Sequence, residues 1–457
     1  MQEQYTRTLP KSHPAKLTPG RAVNLLTMAC IAVLIVLRDV GGIGVGRIVF
    51  IVLATIVCLL SDKAGIYCLL AFLTPLASGI SLTYISGIAL VCLLFKQRNS
   101  IRINKIGSLC MVIILLLELL SAFRGMFSIL EYFRFSCIFL MVFLRMFDYD
   151  KNYDNERMLK YYLIGFGVVV ISIFGQMLTD YSMSQIFSLG VRFGNTRQLL
   201  GNDTEGMLIS YNPNGLGCLC ILALIFSIII ARENKSKLYY LVAVLSGIFG
   251  IMTQSRTFII ELVVCVILFV FSSMSSVKRG LGSIFGILFG GAALYWVAQK
   301  LIPSYLYSLV LRFQDADISN GRTEIFGYYM SRMWEHLDRL VLGVGLQNYP
   351  DKYGYAMSAH NGTQEVVIAW GILGIIVVAI MMVKMFSWAR FQNRNAFLYR
   401  YIPVIAVLVF VQTGQWFSDT SGLFRLMVAF SAILIPIRSE LQSGSCENNN
   451  GGRVKRT

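Results

Sequence analysis

Residues 355–386, YAMSAHNGTQEVVIAWGILGIIVVAIMMVKMF, place a histidine directly before a long apolar run. His360 is one of three histidines in the chain, and Asn361 and Gly362 follow it. The apolar run is long enough to cross a bilayer core of about 30 Å as an α-helix. An isolated histidine at such a boundary is more often an interfacial hydrogen-bonding residue than a catalyst. Taken alone, the stretch therefore predicts a membrane helix and no chemistry.

Similar apolar runs recur along the chain. Hydrophobic residues make up 56% and charged residues only 14%, with a mean hydropathy of +0.66, whereas about a quarter of an ordinary soluble chain is charged. The sequence predicts an all-α polytopic membrane protein with about 12–14 transmembrane helices. The third and fourth spans are short and surround TPLASGIS, so they are either two spans or one broken, re-entrant unit. The predicted spans are 22–38, 43–61, 65–78, 82–95, 107–122, 128–146, 161–178, 208–231, 238–253, 256–273, 283–300, 364–383, 400–416 and 422–438.

Lysine and arginine orient the chain. They concentrate in segments such as KQRNSIRINK and KMFSWARFQNRNAFLYR, which face the cytoplasm if the N-terminus is inside. We predict a cytoplasmic segment at 1–21, one membrane domain at 22–440 and a disordered cytoplasmic tail at 441–457. The net charge of +16 then reports topology and attraction to anionic lipid headgroups. Without a basic domain, the sequence does not favour nucleic-acid binding.

Polar residues collect on the side predicted to be outside. Two long segments lie there, residues 179–207 and 301–363. Arg192, Arg256 and Arg322 are predicted at this face. Each alone is as well explained as a headgroup anchor, but together their guanidinium groups suit the oxygens of a lipid diphosphate. Chemistry, if there is any, is expected on the outer face.

Two further patterns have structural interpretations. Glu131 and Arg134, three residues apart in one span, are interpreted as a structural ion pair. Apolar residues at helical spacing in the longer outer segment predict an amphipathic helix on the membrane surface or, more simply, a packed lid helix. These residues are Ile325, Tyr328, Tyr329, Met333, Trp334 and Leu337.

The order of several motifs resembles the O-antigen polymerase and ligase superfamily. The motifs are RFGN followed by YNPNGLG, TQSRTFII, NGRTEIFGYYMSRMWEHLDRLVLGVGLQNY and SAHNGTQEVVIAWGILG. The similarity covers roughly residues 190–376. It resides in the order of the motifs and in the long outer segment, since no single motif is specific.

The resemblance implies a C-type membrane glycosyltransferase in the bacterial cytoplasmic membrane, with both termini inside. Its donor and acceptor would be undecaprenyl-pyrophosphate-linked glycans. Such enzymes are viewed as inverting, free of metal and other cofactors, and active on the outer face. Chain-length regulator and flippase proteins are candidate partners, alongside membrane lipids.

The resemblance also implies site residues. His360, Arg322 and Arg256 become catalytic candidates. Substrate-binding candidates are Arg192, Asn214, Asn361, Trp334 and Tyr328. Arg197 competes with Arg192, and aromatic residues such as Trp334 and Tyr328 more often serve loop packing.

Three functions remain open at this point. A polymerase would join repeat units into a capsule, O-antigen or exopolysaccharide chain. A ligase would transfer finished glycan to a lipid or protein. A flippase for the same lipid-linked sugars is disfavoured, because the polar residues collect at one face and no internal repeat is evident.

Overall fold

The computed structural model is a bundle of α-helices. It describes residues 19–98, 101–125, 127–148, 153–194, 208–273, 302–314, 321–355, 357–393 and 397–435, with isolated positions between 289 and 300. Within these residues no β-strand forms, and the only bridge pairs Ile103 with Asp148. The predicted all-α polytopic membrane fold is confirmed.

The first half of the chain supplies mainly apolar helices. A 3₁₀ turn, Thr74–Gly79, joins α3 to α4, so the short third and fourth spans form two helices with a break between them. The helices are α1 (Pro19–Asp39), α2 (Arg47–Leu60), α3 (Lys63–Leu73), α4 (Leu82–Gln97), α5 (Lys105–Leu120), α6 (Ile129–Phe147), α7 (Asn155–Asp180), α8 (Met183–Leu189) and α9 (Pro213–Asn234).

The second half alternates apolar helices with a group of short surface helices. The short ones occupy the long segment that the sequence places outside. The helices are α10 (Lys237–Met252), α11 (Arg256–Ser273), α12 (Pro303–Gln314), α13 (Arg322–Trp334), α14 (Leu337–Leu342), α15 (Tyr349–Lys352), α16 (Gly362–Gln392), α17 (Ile402–Val411) and α18 (Thr420–Ile433).

Among the described residues, five helices are long and apolar enough to cross a membrane by themselves: those at Gly20–Asp39, Lys105–Arg124, Asn155–Asp180, Pro213–Asn234 and Gly362–Phe391. Other apolar helices are shorter, at 10–17 residues. Every predicted span overlaps helical residues. Most of the span at 283–300 lies outside the described residues, as do 1–18 and 441–457. The number of spans and the orientation of the bundle remain predictions.

Helix α9 forms the centre of the bundle. It packs against α7, α10, α11 and α17, and most of its side chains are buried. A helix that is apolar all round is typical of such a central position. Asn212 caps its start by accepting a hydrogen bond from the Asn214 N–H at 2.9 Å, and Pro213 occupies the first turn, where it costs no helical hydrogen bond.

Several helix termini meet at the end of the bundle where α1 ends and α9 begins, called here the site end. The Asp39 carboxylate accepts a hydrogen bond from the Ile209 N–H at 3.2 Å, and the Ser78 hydroxyl accepts one from the Ser210 N–H at 3.3 Å. These contacts join segments that are more than a hundred residues apart. The charge pattern of the sequence predicts that this end is outside.

Helix α16 is broken near the site end. Gly371 has φ 63° and ψ −161°, a conformation that essentially only glycine adopts. The turn at 343–345 packs into the break, where the Val344 and Gly345 N–H groups donate to the carbonyls of residues 368 and 369 at 3.0 and 2.7 Å. The turn at 343–345 and the break at Gly371 therefore pack together as one unit, called here the glycine joint.

Candidate functional site

The start of α16 is fixed to the loop that follows α17. Asn361 caps α16 by accepting from the Gln364 N–H at 3.0 Å, and its amide donates to the Gln412 carbonyl at 3.0 Å. Thr363 donates to the Gln412 side chain at 3.1 Å. Asn361 thus caps the helix and anchors the loop. The neighbouring His360 is exposed at the site end.

His360 occupies an uncommon backbone conformation. Its φ is 47°, in the left-handed region that residues bearing a side chain visit rarely. Partial desolvation lowers the pKa of the imidazole below its ordinary value, and the positive charge of Arg322 lowers that pKa further. His360 therefore lies within electrostatic reach of Arg322 and is biased towards its neutral form.

Arg322 begins α13, directly after Gly321. It is half-buried, and desolvation lowers the pKa of its guanidinium group. The charge of Arg256 is the second cause of that lowered pKa. The three residues Arg256, Arg322 and His360 thus form one electrostatic neighbourhood, called here the Arg–His site.

Arg256 begins α11 on a turn that is anchored from two sides. The Ser255 hydroxyl donates to the Asn214 side chain at 2.8 Å, which ties the turn to the start of α9. The hydroxyls of Thr257 and Thr413 lie 3.1 Å apart, which ties it to the loop after α17. Asn214 therefore positions this turn.

Two other arginines support the same turn from outside the Arg–His site. Arg192 donates to the Thr253 carbonyl at 2.9 Å, and Arg312 donates to the Gln254 carbonyl at 3.1 Å. Desolvation, followed by the charge of Arg312, lowers the pKa of Arg192 to about 10. Arg197 lies outside the described residues. Arg312 was not predicted from the sequence, because a lone arginine near a helix end resembles an ordinary surface residue.

The aromatic candidates of α13 do not join the Arg–His site. Tyr328 stacks on Tyr355 with ring centroids 4.3 Å apart and donates to the Tyr353 carbonyl at 2.8 Å, so it is a packing residue. Trp334 is 67% exposed at the far end of α13, about 18 Å along the helix from Arg322.

The predicted apolar stripe of this helix was partly wrong. Ile325, Tyr329 and Met333 are buried in a small separate core with Val344, Tyr349, Tyr353, Ala359 and Ile368. Leu337 is 72% exposed, because α13 ends at Trp334 and Leu337 starts another helix that breaks the spacing. The packed lid helix describes α13 better than a helix lying on the membrane.

Two buried acids fix the loops around the site. Glu365 in α16 accepts hydrogen bonds from the Trp416 and Phe417 N–H groups, each at 2.8 Å. Glu118 in α5 accepts from the Leu346 N–H at 2.8 Å and from the Trp370 indole at 2.9 Å. An acidic residue in an apolar helix is a recognisable signal for a buried role, although it does not reveal a partner so distant in sequence.

The chemistry available at the Arg–His site follows from its charges. Two guanidinium groups close enough to repel each other gain most from an anion placed between them. Their planar donor forks match paired phosphate oxygens. A neighbouring neutral imidazole can accept a proton from an attacking hydroxyl. The arrangement suits a reaction in which a diphosphate departs as an alcohol attacks.

Comparison with known families identifies a match in the second half of the chain. Residues 241–379 match a family described as O-antigen ligase. This range contains Arg256, Arg322, His360 and Asn361, whereas Arg192 and Asn214 precede it. No curated protein matches the chain. The resemblance inferred from the order of the motifs is thereby confirmed for the part of the chain that holds the Arg–His site.

Proposed function

We propose, on the premise that residues 241–379 belong to the O-antigen ligase family, that the protein is a membrane glycosyltransferase that polymerises repeat units linked to undecaprenyl diphosphate. The reaction would occur on the outer face of the bacterial cytoplasmic membrane. The observation that carries the proposal is the proximity of Arg256, Arg322 and His360, which come from three separate segments.

The bond changes assign a role to each group. The acceptor hydroxyl attacks the anomeric carbon, the bond from that carbon to the phosphate oxygen breaks, and the diphosphate leaves with the electron pair. Arg256 and Arg322 stabilise the growing negative charge. His360 takes the proton of the hydroxyl, and attack from the face opposite the leaving group inverts the anomeric configuration.

The environment of His360 supports its role as proton acceptor. Since desolvation and Arg322 lower its pKa, the imidazole is mostly neutral near pH 7. The charge of Arg322 thus serves two purposes, binding the diphosphate and keeping the base available. Removing one such charge-stabilising donor typically costs about 10²–10³ in rate.

The description of the matched family favours a second candidate, a ligase. A ligase would use the same lipid-linked donor but a different acceptor, a lipid or a protein. The Arg–His site suits both reactions, because the donor diphosphate and the attacking hydroxyl are chemically the same in each.

Glycan analysis of a strain carrying His360→Ala separates these functions. A polymerase should accumulate single repeat units on the lipid carrier, whereas a ligase should accumulate long polymer that is still attached to the carrier. His336→Ala is the matched control, because His336 is an exposed histidine of the same outer segment. An unchanged glycan ladder in the His360→Ala strain would exclude His360 from the mechanism.

A further inference from the structure

A polar cavity of about 560 Å³ lies at the site end, outside the Arg–His site. Its lining combines hydroxyl and amide side chains, among them Ser78, Ser81 and Asn348, with the aromatic rings of Tyr84 and Phe135. The volume lies within the range of about 300–1,000 Å³ that is typical of small-molecule sites. Three of its lining residues, Leu346, Gln347 and Asn348, come from the motif that ends in GLQNY, whereas no residue of the Arg–His site lines the cavity.

Hydrogen-bonding atoms on the lining are buried without partners. Among the described residues, no group pairs with Oε1 of Glu118, Nε2 of Gln347 or Nε of Arg134. The other ends of two of these side chains are fixed, since Oε2 of Glu118 accepts from Leu346, and Oε1 of Gln347 accepts from the Ser128 N–H at 2.9 Å. Buried polar atoms are costly to leave unpaired. A sugar, whose hydroxyls both donate and accept, would satisfy such a mixed set.

The charges on the lining also favour a sugar. Two arginines, Arg47 and Arg134, are balanced by two acids, Glu118 and Glu131. Arg134 pairs with Glu131 and donates to the Tyr84 hydroxyl at 2.7 Å. A lining with no net formal charge does not select a small free anion, but it can hold an uncharged glycan whose phosphate lies at one edge.

An apolar groove continues from the cavity along α2, α4 and α6. Residues on its wall include Leu59, Gly87, Val91 and Phe133, and its lining surface is almost entirely apolar. The groove and the cavity share three lining residues, which are Thr83, Tyr84 and Arg134. Arg134 therefore stands at the boundary between an apolar channel and a polar chamber.

Two short segments connect the cavity to the Arg–His site. In the first, Ser210 bonds to Ser78 on the cavity wall, and four residues later Asn214 bonds to the turn that carries Arg256. In the second, Thr413 bonds to Thr257, the residue after Arg256, and Ser418, five residues further along, lines the cavity. A glycan in the cavity would thus lie beside the reacting centre.

We propose that the groove and the cavity bind a second molecule of polyprenyl diphosphate-linked glycan, the acceptor. Its tail occupies the groove, its diphosphate meets Arg134 and its sugars fill the polar cavity. Its terminal hydroxyl extends towards the Arg–His site, attacks the donor sugar there and gives its proton to His360 while the donor diphosphate leaves. This inference rests on the proposed function, because it supplies the place of the second substrate.

Counting binding sites for undecaprenyl diphosphate tests the inference. The full-length protein is purified into nanodiscs of phosphatidylglycerol, so that ordinary phospholipid competes for the groove. Gly87→Trp fills the groove, and a β-carbon at Gly87 meets only Cys137 Sγ at 3.6 Å, so the backbone can accept it. Arg134→Ala is a second, partly exposed variant, and Val112→Trp on the lipid-facing side of α5 is the matched control.

Two sites are expected in the wild type and in Val112→Trp. Gly87→Trp should retain one site, and Arg134→Ala should weaken one of the two by about tenfold or more. A single wild-type site that Gly87→Trp leaves intact would overturn the inference, as would two sites that neither variant changes. Arg322→Ala distinguishes failure of the proposed function from failure of this inference. If Arg322→Ala leaves both binding sites unchanged, the Arg–His site does not bind the donor diphosphate, but the groove can still bind the acceptor.

Discussion

At the residue scale, the account depends on the effect of Arg322 on His360. Desolvation is the larger cause of the lowered imidazole pKa, and the guanidinium charge adds to it. A base that must be neutral to act benefits from a pKa below the working pH. One arginine would therefore serve both binding and proton transfer.

The first prediction concerns the pKa of His360. Arg322→Gln removes the nearby positive charge, so the pKa should rise towards its ordinary value while remaining lowered by desolvation. The pH dependence of modification by diethyl pyrocarbonate, which reacts with neutral imidazole, measures this shift directly. His13→Asn and His336→Asn in the background leave His360 as the only histidine.

The pH dependence of activity should move in the same direction. Because the proton must be absent from His360 before it can accept one, the acidic limb of the rate profile should move to higher pH in Arg322→Gln. Arg332→Gln is the control, since Arg332 is exposed and pairs with Glu335. A His360 pKa that is equal in both variants would refute the coupling.

At the element scale, the broken helix α16 explains the spacing of the glycines. A β-carbon at Gly371 would lie 2.3 Å from the Val341 carbonyl oxygen. The break lets the turn at 343–345 donate to α16 carbonyls. The start of α16, with His360 before it, is thereby held separately from the long apolar part that follows.

Replacing Gly371 tests this joint. Gly371→Ala should destabilise the protein by about 2–4 kcal/mol, through backbone strain and overpacking. Gly327→Ala is the matched control, because Gly327 lies inside α13 with nothing within 4 Å of an added β-carbon. That change should be neutral or stabilise by up to about 1 kcal/mol. Thermal unfolding in detergent compares the two, and equal melting temperatures would contradict the joint.

The helices were more predictable than the joints between them. The bounds predicted for α6, α10 and α11 agree with the structure to within a residue or two, since hydropathy marks where a helix leaves the apolar phase. The break at Gly371 was missed because the residues around it are continuously apolar. Only the packing of a distant turn reveals the break.

The charged residues of the candidate site could be predicted from the sequence, but the residues that hold the surrounding loops in place could not. Arg256, Arg322 and His360 follow polar turns at helix starts, which the sequence displays. The clamps formed by Glu118 and Glu365 join residues about 228 and 51 positions apart, and no local pattern encodes such a partner. Arg312 was missed for the same reason.

At the scale of the whole molecule, the Arg–His site and the polar cavity lie at the same end of the bundle. The excess of lysine and arginine in the other connecting segments predicts that this end faces outward. A substrate with a lipid tail can then remain in the bilayer while its sugar reaches the site.

Labelling with a membrane-impermeant maleimide tests this orientation. Thr323→Cys lies beside Arg322, and Lys237→Cys lies at the opposite end of the bundle; both positions are exposed. In spheroplasts, Thr323→Cys should react at once, whereas Lys237→Cys should react only after the membrane is permeabilised. The reverse pattern would place the Arg–His site in the cytoplasm.

The most direct measurement is chain growth by the purified protein on synthetic undecaprenyl diphosphate-linked repeat units. Wild type and Arg332→Ala should elongate the glycan. Arg256→Ala, Arg322→Ala and His360→Ala should each lose about 10²–10³ in rate while remaining folded. Elongation at the wild-type rate by any of these three variants would contradict a single site built from two guanidinium groups and one imidazole.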